Sequence, residues 1–315
     1  MLKRYLHVAS IFVVFLVVTL LPNVMMAQLS EQATWAMLIG DDYQIVPNIP
    51  YTTANNYEAK LDLYLPNKAT APSPVLVYFH GGGWRLGGGS KELDSLLLLP
   101  YLELGFAVVN VEYRPTQVSL APAAVEDSRC ALRWVFNKAK EYKFDTTRIV
   151  VSGISAGGNL ALNAALLTPA AGLDTRCPGE EMKVAAVVSW LGITDVYDQI
   201  EGPNKRNYAI AWLGSQSNRD EIARRVSPIN HIRPGVPPIL TIHGDADPVV
   251  PYSHAVRLHE ALKKAGVSNQ LLTIPGGKHG GFTHPELLKV LATIREFLTR
   301  HNVWKPNSAS ASAIK

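Results

Sequence analysis

The sequence predicts an α/β fold, a mostly parallel central sheet covered by helices on both faces, and three observations lead there. Short apolar, β-branched runs alternate with longer helix-like segments along most of the chain, the order that builds a parallel sheet through crossover helices. The run Val75-Leu76-Val77-Tyr78-Phe79 has no strongly polar position, as a strand covered on both faces requires. At 315 residues the chain is long enough to bury a substantial core.

The elements follow in order. Tyr57 to Leu65 alternates, with Ala59, Leu61, Leu63 and Leu65 on one side and Lys60, Asp62 and Tyr64 on the other, the pattern of a half-exposed strand. Val75–Phe79 is the first buried strand. Further apolar runs are Phe106 to Val111, Ile149 to Val151, Val184 to Val188, Pro238 to Ile242 and Gln270 to Ile274. Between them, Pro122 to Tyr142 places Val125, Leu132, Val135 and Phe136 at near-helical spacing. Asn159 to Leu167 reads as a second helix. Ser253 to Ala265 ends at Gly266, a suitable C-cap, and Pro285 to Arg300 carries proline in its first turn. The stretch from Gly192 to Pro238 is less regular and reads as an excursion over the mouth of the sheet.

The N-terminus reads as a targeting segment. Lys3 and Arg4 precede an apolar run from Val8 to Leu21, Pro22 ends it, and Met25-Met26-Ala27 presents a small residue before Gln28. That is the form of a secretory signal peptide, and an uncleaved anchor is its rival. The expected organisation is residues 1–27 signal peptide, 28–304 one catalytic domain, and 305–315 a disordered Ser/Ala-rich tail. Export, periplasmic or secreted, is the expected localisation, with no stable membrane partner after cleavage. Losing Lys3 and Arg4 from 30 basic residues leaves 28 against 26 acidic, which offers nothing for nucleic acid to bind. Cys130 and Cys177 are the two cysteines. An exported chain permits a disulfide between them, and two unpaired buried thiols are the alternative.

The chemistry concentrates in four short segments. Gly153-Ile154-Ser155-Ala156-Gly157 lies between a strand-like run and a helix-like segment, where a G-x-S-x-G turn presents a serine nucleophile. His80-Gly81-Gly82-Gly83-Trp84 follows the buried strand at Phe79, the place for an oxyanion loop. Gly82 and Gly83, with Ala156 after the serine, are the candidate N–H donors. Gly87-Gly88-Gly89-Ser90-Lys91 suggests a phosphate cradle but lacks the G-K-[ST] ending. The orienting acid is sought after Ile239–Ile242, where Asp245 and Asp247 compete. Asp247 takes the triad position, leaving Asp245 to bond local backbone in the turn and His243 as structural. The base is His279, in the loop after Leu271–Ile274, with glycines on both sides. His284 is its rival for that role; immediately before Pro285, it is alternatively a cap for the last helix. His231, His254, His259 and His301 show no metal-ligand spacing, so no metal or organic cofactor is expected. Trp84, Tyr208 and Trp212 are candidates to line a substrate pocket, or to pack as buried aromatics do.

The order Ser155, Asp247, His279 is that of the α/β-hydrolase fold. With the His80–Trp84 loop, Gly153–Asn159, Val111-Glu112-Tyr113-Arg114, Glu126-Asp127 and Arg133-Trp134, the chain from Tyr57 to Val303 resembles α/β-hydrolase esterases with an H-G-G-G-W loop. That group overlaps hormone-sensitive-lipase-like enzymes and carbohydrate esterases releasing acetyl or feruloyl groups. Ile154 stands where the lipase-like enzymes usually carry aspartate. The resemblance implies a serine carboxylesterase acting on short-chain or carbohydrate-linked acetyl or feruloyl esters, its partner being a small-molecule or oligosaccharide ester. A peptidase or formamidase-like amidase on the same fold, and a non-catalytic binding protein, are the rival classes.

Overall fold

The computed structural model describes residues 40, 42–85, 91 and 94–305. The predicted signal peptide 1–27, the glycine run 87–90 and residues 306–315 of the predicted tail lie outside the described residues. The chain divides into residues 1–44, almost wholly outside the described residues, and a unit of residues 45–315 that carries everything below.

Eight strands form one sheet in the order β1-β2-β4-β3-β5-β6-β7-β8. They are β1 (Tyr43–Ala54), β2 (Tyr57–Pro66), β3 (Ser73–Phe79), β4 (Ala107–Val111), β5 (Phe144–Ile154), β6 (Ala186–Trp190), β7 (Ile239–Gly244) and β8 (Asn269–Ile274). β2 runs antiparallel to β4, and every pairing from β4 through β3, β5, β6 and β7 to β8 is parallel. The α-helices are α1 (Leu99–Glu103), α2 (Ala123–Tyr142), α3 (Ala156–Leu166), α4 (Asn207–Leu213), α5 (Arg219–Arg225), α6 (Ser253–Lys264) and α7 (His284–Arg300). This is the α/β-hydrolase fold, as the sequence predicts.

The inner strands β3, β4, β6 and β7 are buried at every residue, which explains their unbroken apolar runs. Alternation along β3 still divides the core. Val75, Val77 and Phe79 belong to one core cluster with Leu132 and Val135 of α2, Leu160 of α3 and Leu258 of α6. The intervening Leu76 and Tyr78 are buried outside that cluster, while α7 packs on β7, β8 and α1. Burial of each such Leu, Ile or Phe side chain stabilises by about 1.5–3 kcal/mol before chain entropy is counted.

Two differences from the sequence reading have physical causes. β1 was not anticipated: it sits at the sheet edge, is largely exposed, and contains Pro47 and Pro50, residues tolerated only where no ladder bond is needed. The Asn55-Asn56 turn into β2 has φ of 52° and 58°, the left-handed pair a tight hairpin turn uses. The polar side of β2 is covered: buried Asp62 accepts the Asn48 N–H and the Lys91 ammonium, each at 2.7 Å, so the charge is paired. Buried Asp127 of α2 likewise accepts both the backbone N–H and Nε of Arg114, tying α2 to the end of β4.

Cys130 on α2 and Cys177 in the loop before β6 are joined as a disulfide with Cα atoms 5.2 Å apart, which settles the alternative in favour of pairing. The bridge spans 47 residues of sequence, and closing a loop of that size in the unfolded chain is worth about 4 kcal/mol on a chain-entropy account. A Cys130→Ala/Cys177→Ala variant is therefore expected to lose stability on that scale in urea titration; an unchanged midpoint would show that the bridge constrains nothing.

Candidate active site

The site is built at the C-terminal ends of β3, β5, β7 and β8, where loops leave the parallel strands. Ser155 sits between β5 and α3 with φ 56° and ψ −117°, a sparsely populated conformation held at a cost of roughly 1–3 kcal/mol. Its N–H donates to Trp190 O at 2.8 Å, and its carbonyl accepts Asn159 N–H at 3.1 Å and Ile193 N–H at 3.4 Å. Gly157 in the first turn of α3 lies so close to β3 that an added Cβ would stand 2.0 Å from Phe79 O. Only glycine allows that approach.

His279 bridges the two other candidates. Its Nδ1 lies 2.7 Å from Asp247 Oδ2 and its Nε2 lies 3.0 Å from Ser155 Oγ. With Nδ1–H donating to the carboxylate, Nε2 is left to accept the serine proton. The Asp247 side chain is fully buried, and its Oδ1 accepts Val249 N–H at 2.8 Å and Val250 N–H at 3.0 Å. Burial alone would raise its pKa; hydrogen bonds from His243, His279 and Val249, with the His279 charge, outweigh burial and hold it well below the usual carboxylate range. The buried His243 on β7 places Nε2 3.0 Å from Val250 O and 3.4 Å from Asp247 Oδ2. It is structural, as expected, and it also faces the acid directly.

The loops that carry Asp247 and His279 are fastened to each other. Asp245 N–H donates to Ile274 O at 3.2 Å, Ala246 N–H to Gly277 O at 3.0 Å, and Gly276 N–H to Asp245 Oδ1 at 2.7 Å. Asp245 thus bonds the histidine loop rather than the backbone of its own turn, because β7 and β8 are neighbours and their loops leave side by side.

The candidate oxyanion donors are oriented through their carbonyls. In a trans peptide the N–H points opposite to the C=O of the preceding residue. Gly81 O accepts the Tyr113 hydroxyl at 3.2 Å and His80 Nδ1 at 2.7 Å, turning Gly82 N–H the other way. Gly82 O accepts Arg85 N–H at 3.2 Å, which does the same for Gly83 N–H. Ser155 O is engaged as described, so Ala156 N–H, the first of α3, faces outward from the helix. Gly82, Gly83, Ser155 and His279 line a cavity of about 500 Å³ together with Gly81, Arg85, Asp94, Ile154, Tyr208 and Val249.

Of the three aromatic candidates only Tyr208 lines this cavity. Trp84 and Trp212 are fully buried and stacked at 3.8 Å and 8°, so the pocket role expected for these two is corrected. Trp84 has φ 58°, and its ring packs into the core beneath the glycine loop, where stacked indoles bury the most apolar area. Tyr208 donates to Gln199 Oε1 at 2.9 Å, and burial pushes its hydroxyl up to about 12, so it stays a neutral phenol. His284 is the first residue of α7 and does not cap it. The cap is Thr283, whose N–H and Oγ1 both donate to Glu286 Oε2 at 2.7 and 2.8 Å. His254 is buried and bonds Asp198 Oδ2 at 3.0 Å, His259 bonds Asn269 Oδ1 and His231 bonds Arg225 O. Among the described residues no group of three or more His, Cys, Asp or Glu is arranged to hold a metal ion. Asp94, Arg85 and Val249 were not singled out from sequence, since each is one residue in a loop or turn with no spacing to mark it.

Comparison with known proteins matches the BD-FAE family model over residues 61–262 and the TAP-like protein model over residues 217–309. Esterase LipQ of Mycobacterium tuberculosis is 28% identical over 214 residues, 66% of this chain and 50% of LipQ. The chain spans about half the length of the first curated relatives it matches. Among solved structures, a truncated carbohydrate esterase from gut microbiota superposes with a TM-score of 0.67 at 27% identity, covering 83% of this chain and 97% of that one. The thermophilic esterase Est2 of Thermogutta terrifontis gives 0.70 at 26% identity, covering 85% and 95%, and it has also been solved with propionate and with butyrate bound.

The depressed Asp247 carboxyl makes a testable demand on stability. A carboxyl ionised more readily in the folded chain stabilises fully above the ordinary aspartate value of about 3.9, and that contribution drains away as the pH falls through the depressed one. Urea titrations of the wild type and Asp247→Asn should differ by a constant amount from neutral pH to about 5, and converge progressively below about 4. Convergence already complete at pH 5 would contradict the assignment.

Proposed function

The chain belongs to the BD-FAE family, and from that premise we propose that it is an exported serine carboxylesterase. The observation that carries the proposal is His279 in contact with Ser155 Oγ at 3.0 Å and Asp247 Oδ2 at 2.7 Å, at the rim of the glycine-lined cavity. In the first step Ser155 Oγ attacks the ester carbonyl carbon as His279 Nε2 takes its proton. Asp247 holds the ring in the required tautomer and stabilises its positive form. The carbonyl oxygen becomes an oxyanion that accepts from Gly82, Gly83 and Ala156 N–H, each donor being worth about 3 kcal/mol of barrier. The C–O bond to the alcohol then breaks, and His279 returns the proton to the leaving oxygen. Water, deprotonated by His279, resolves the acyl-enzyme and frees Ser155.

The substrate proposed is a short-chain or carbohydrate-linked acetyl or feruloyl ester. An open, partly polar cavity of about 500 Å³ with Arg85, Asp94 and Tyr208 on its wall supports a hydrophilic alcohol portion. The likeness to a carbohydrate esterase, and to an esterase solved with propionate and butyrate, supports a small acyl group. Export is supported by the N-terminal Lys3-Arg4 and apolar run, and by the Cys130–Cys177 disulfide, a bond that persists in oxidising compartments.

Ser155→Ala should lower hydrolysis of p-nitrophenyl acetate by about 10⁴-fold or more while leaving the thermal melting curve in place. Wild-type protein recovered from the exported fraction should begin near Gln28 and release acetate from acetyl-xylan or ferulate from methyl ferulate. Wild-type turnover in the Ser155→Ala protein would end the serine mechanism; inertness toward both carbohydrate-type esters would end the substrate assignment alone.

A further inference from the structure

Asp94 stands on the wall of the cavity, and no step of the reaction above uses it. Its Oδ2 accepts Gly81 N–H at 2.8 Å. That N–H belongs to the peptide joining His80 to Gly81, whose carbonyl is held at its opposite end by the Tyr113 hydroxyl at 3.0 Å. The same hydroxyl reaches Gly81 O at 3.2 Å, and the Tyr113 ring stacks on His80 at 4.3 Å. Two side chains from distant segments therefore grip the two ends of one peptide plane. That plane comes just before Gly82 and Gly83, with φ of 101° and 64°. A run of glycines has no Cβ contacts to resist rotation and is the least restrained backbone a chain can carry. Fixing the peptide that enters the run anchors the end from which the donors are aimed, and the bonds to Gly81 O and Gly82 O hold the peptides after it.

We propose that Asp94 is a positioning residue for the oxyanion loop: by accepting Gly81 N–H it holds the peptide from which Gly82 and Gly83 are aimed. The inference rests on the serine-esterase reading of the site. What the position requires is an acceptor and not a charge, since a full negative charge beside a developing oxyanion opposes it. The surroundings agree. Burial pushes the Asp94 carboxyl up, with the hydrogen bond from Gly81 N–H acting the other way. Asp94 borders the cavity and not the apolar core, so substitution there does not hollow out the packing of the sheet.

The test compares Asp94→Ala, Asp94→Leu and Asp94→Asn on p-nitrophenyl acetate, with melting curves for each. Ala and Leu remove the acceptor, Leu while keeping the volume, so the test stands if the smaller residue fails to fold. Loosening donors that are worth about 10²–10³ in rate when deleted outright should lower kcat by about 10- to 100-fold with KM within about 3-fold. Affinity for an aryl trifluoromethyl ketone, which forms a tetrahedral adduct, should weaken in parallel. Asp94→Asn retains an amide oxygen and should bring kcat back to within about 3-fold of the wild type. Wild-type kcat in folded Asp94→Ala or Asp94→Leu would overturn the proposal, as would an Asn variant damaged as severely as they are. A Ser155→Ala control separates the two levels: if it is inactive while Asp94→Ala runs at the wild-type rate, this inference alone has failed, and if it is active the esterase reading has failed.

Discussion

Everything at the site depends on one backbone-to-backbone approach, the first turn of α3 pressed against the end of β3. An added Cβ would lie 2.0 Å from Phe79 O at Gly157, 2.5 Å from His80 O at the same residue, and 2.4 Å from Gly157 O at Gly153. These contacts place the serine turn beside the first residue of the glycine loop, so the spacing between Ser155 and that loop is set by parallel β3–β5 pairing. Pairing runs to Phe79↔Gly153 without a gap from Val75 onward. The strained φ of Ser155 is held by the same arrangement, through Trp190 O on β6. Fixed strands on three sides over-determine a turn that no isolated peptide would adopt.

The polar residues complete what the backbone begins. Asp247 receives two backbone N–H groups on one oxygen and two imidazoles on the other side of the carboxylate, so it remains ionised despite a fully buried side chain. Unpaired, such a charge would be costly enough to neutralise instead. Three bonds between the Asp245–Ala246 and Ile274–Gly277 segments tie the loop that carries Asp247 to the loop that carries His279. On the far side, Tyr113 and Asp94 hold the glycine loop through its peptides. Preorganisation of this kind, with donors and base already oriented, is what lets a site stabilise charge without reorganising during the reaction.

Much of this was legible from sequence because the fold's demands are local. The parallel strands appear as unbroken apolar runs, since they are buried on both faces. Ser155 and the glycine loop carry glycines that backbone contact enforces, and Asp247 and His279 each follow a readable strand. Apart from β1, the misses have a common cause: they depend on contacts between segments far apart in sequence. β1 gave no pattern because an exposed edge strand with prolines has little apolar alternation. Asp94 reaches Gly81 from 13 residues away and Asp245 reaches Gly276 from 31. Trp84 and Trp212 are aromatic residues near a site in sequence, yet their best partner is each other. The pairing of Cys130 with Cys177 likewise needed α2 and the loop before β6 to be placed in space.

The central claim is that Ser155 carries the acyl group between two half-reactions. Acid-quenching the protein during turnover of a slowly deacylating aryl ester, followed by peptide mass analysis, reads this directly. The account predicts a mass increase of one acyl group on the peptide containing Ser155, rising in a burst and disappearing when substrate is exhausted. An acyl group found on another residue, or steady turnover with no acylated protein under conditions where deacylation limits the rate, would contradict it.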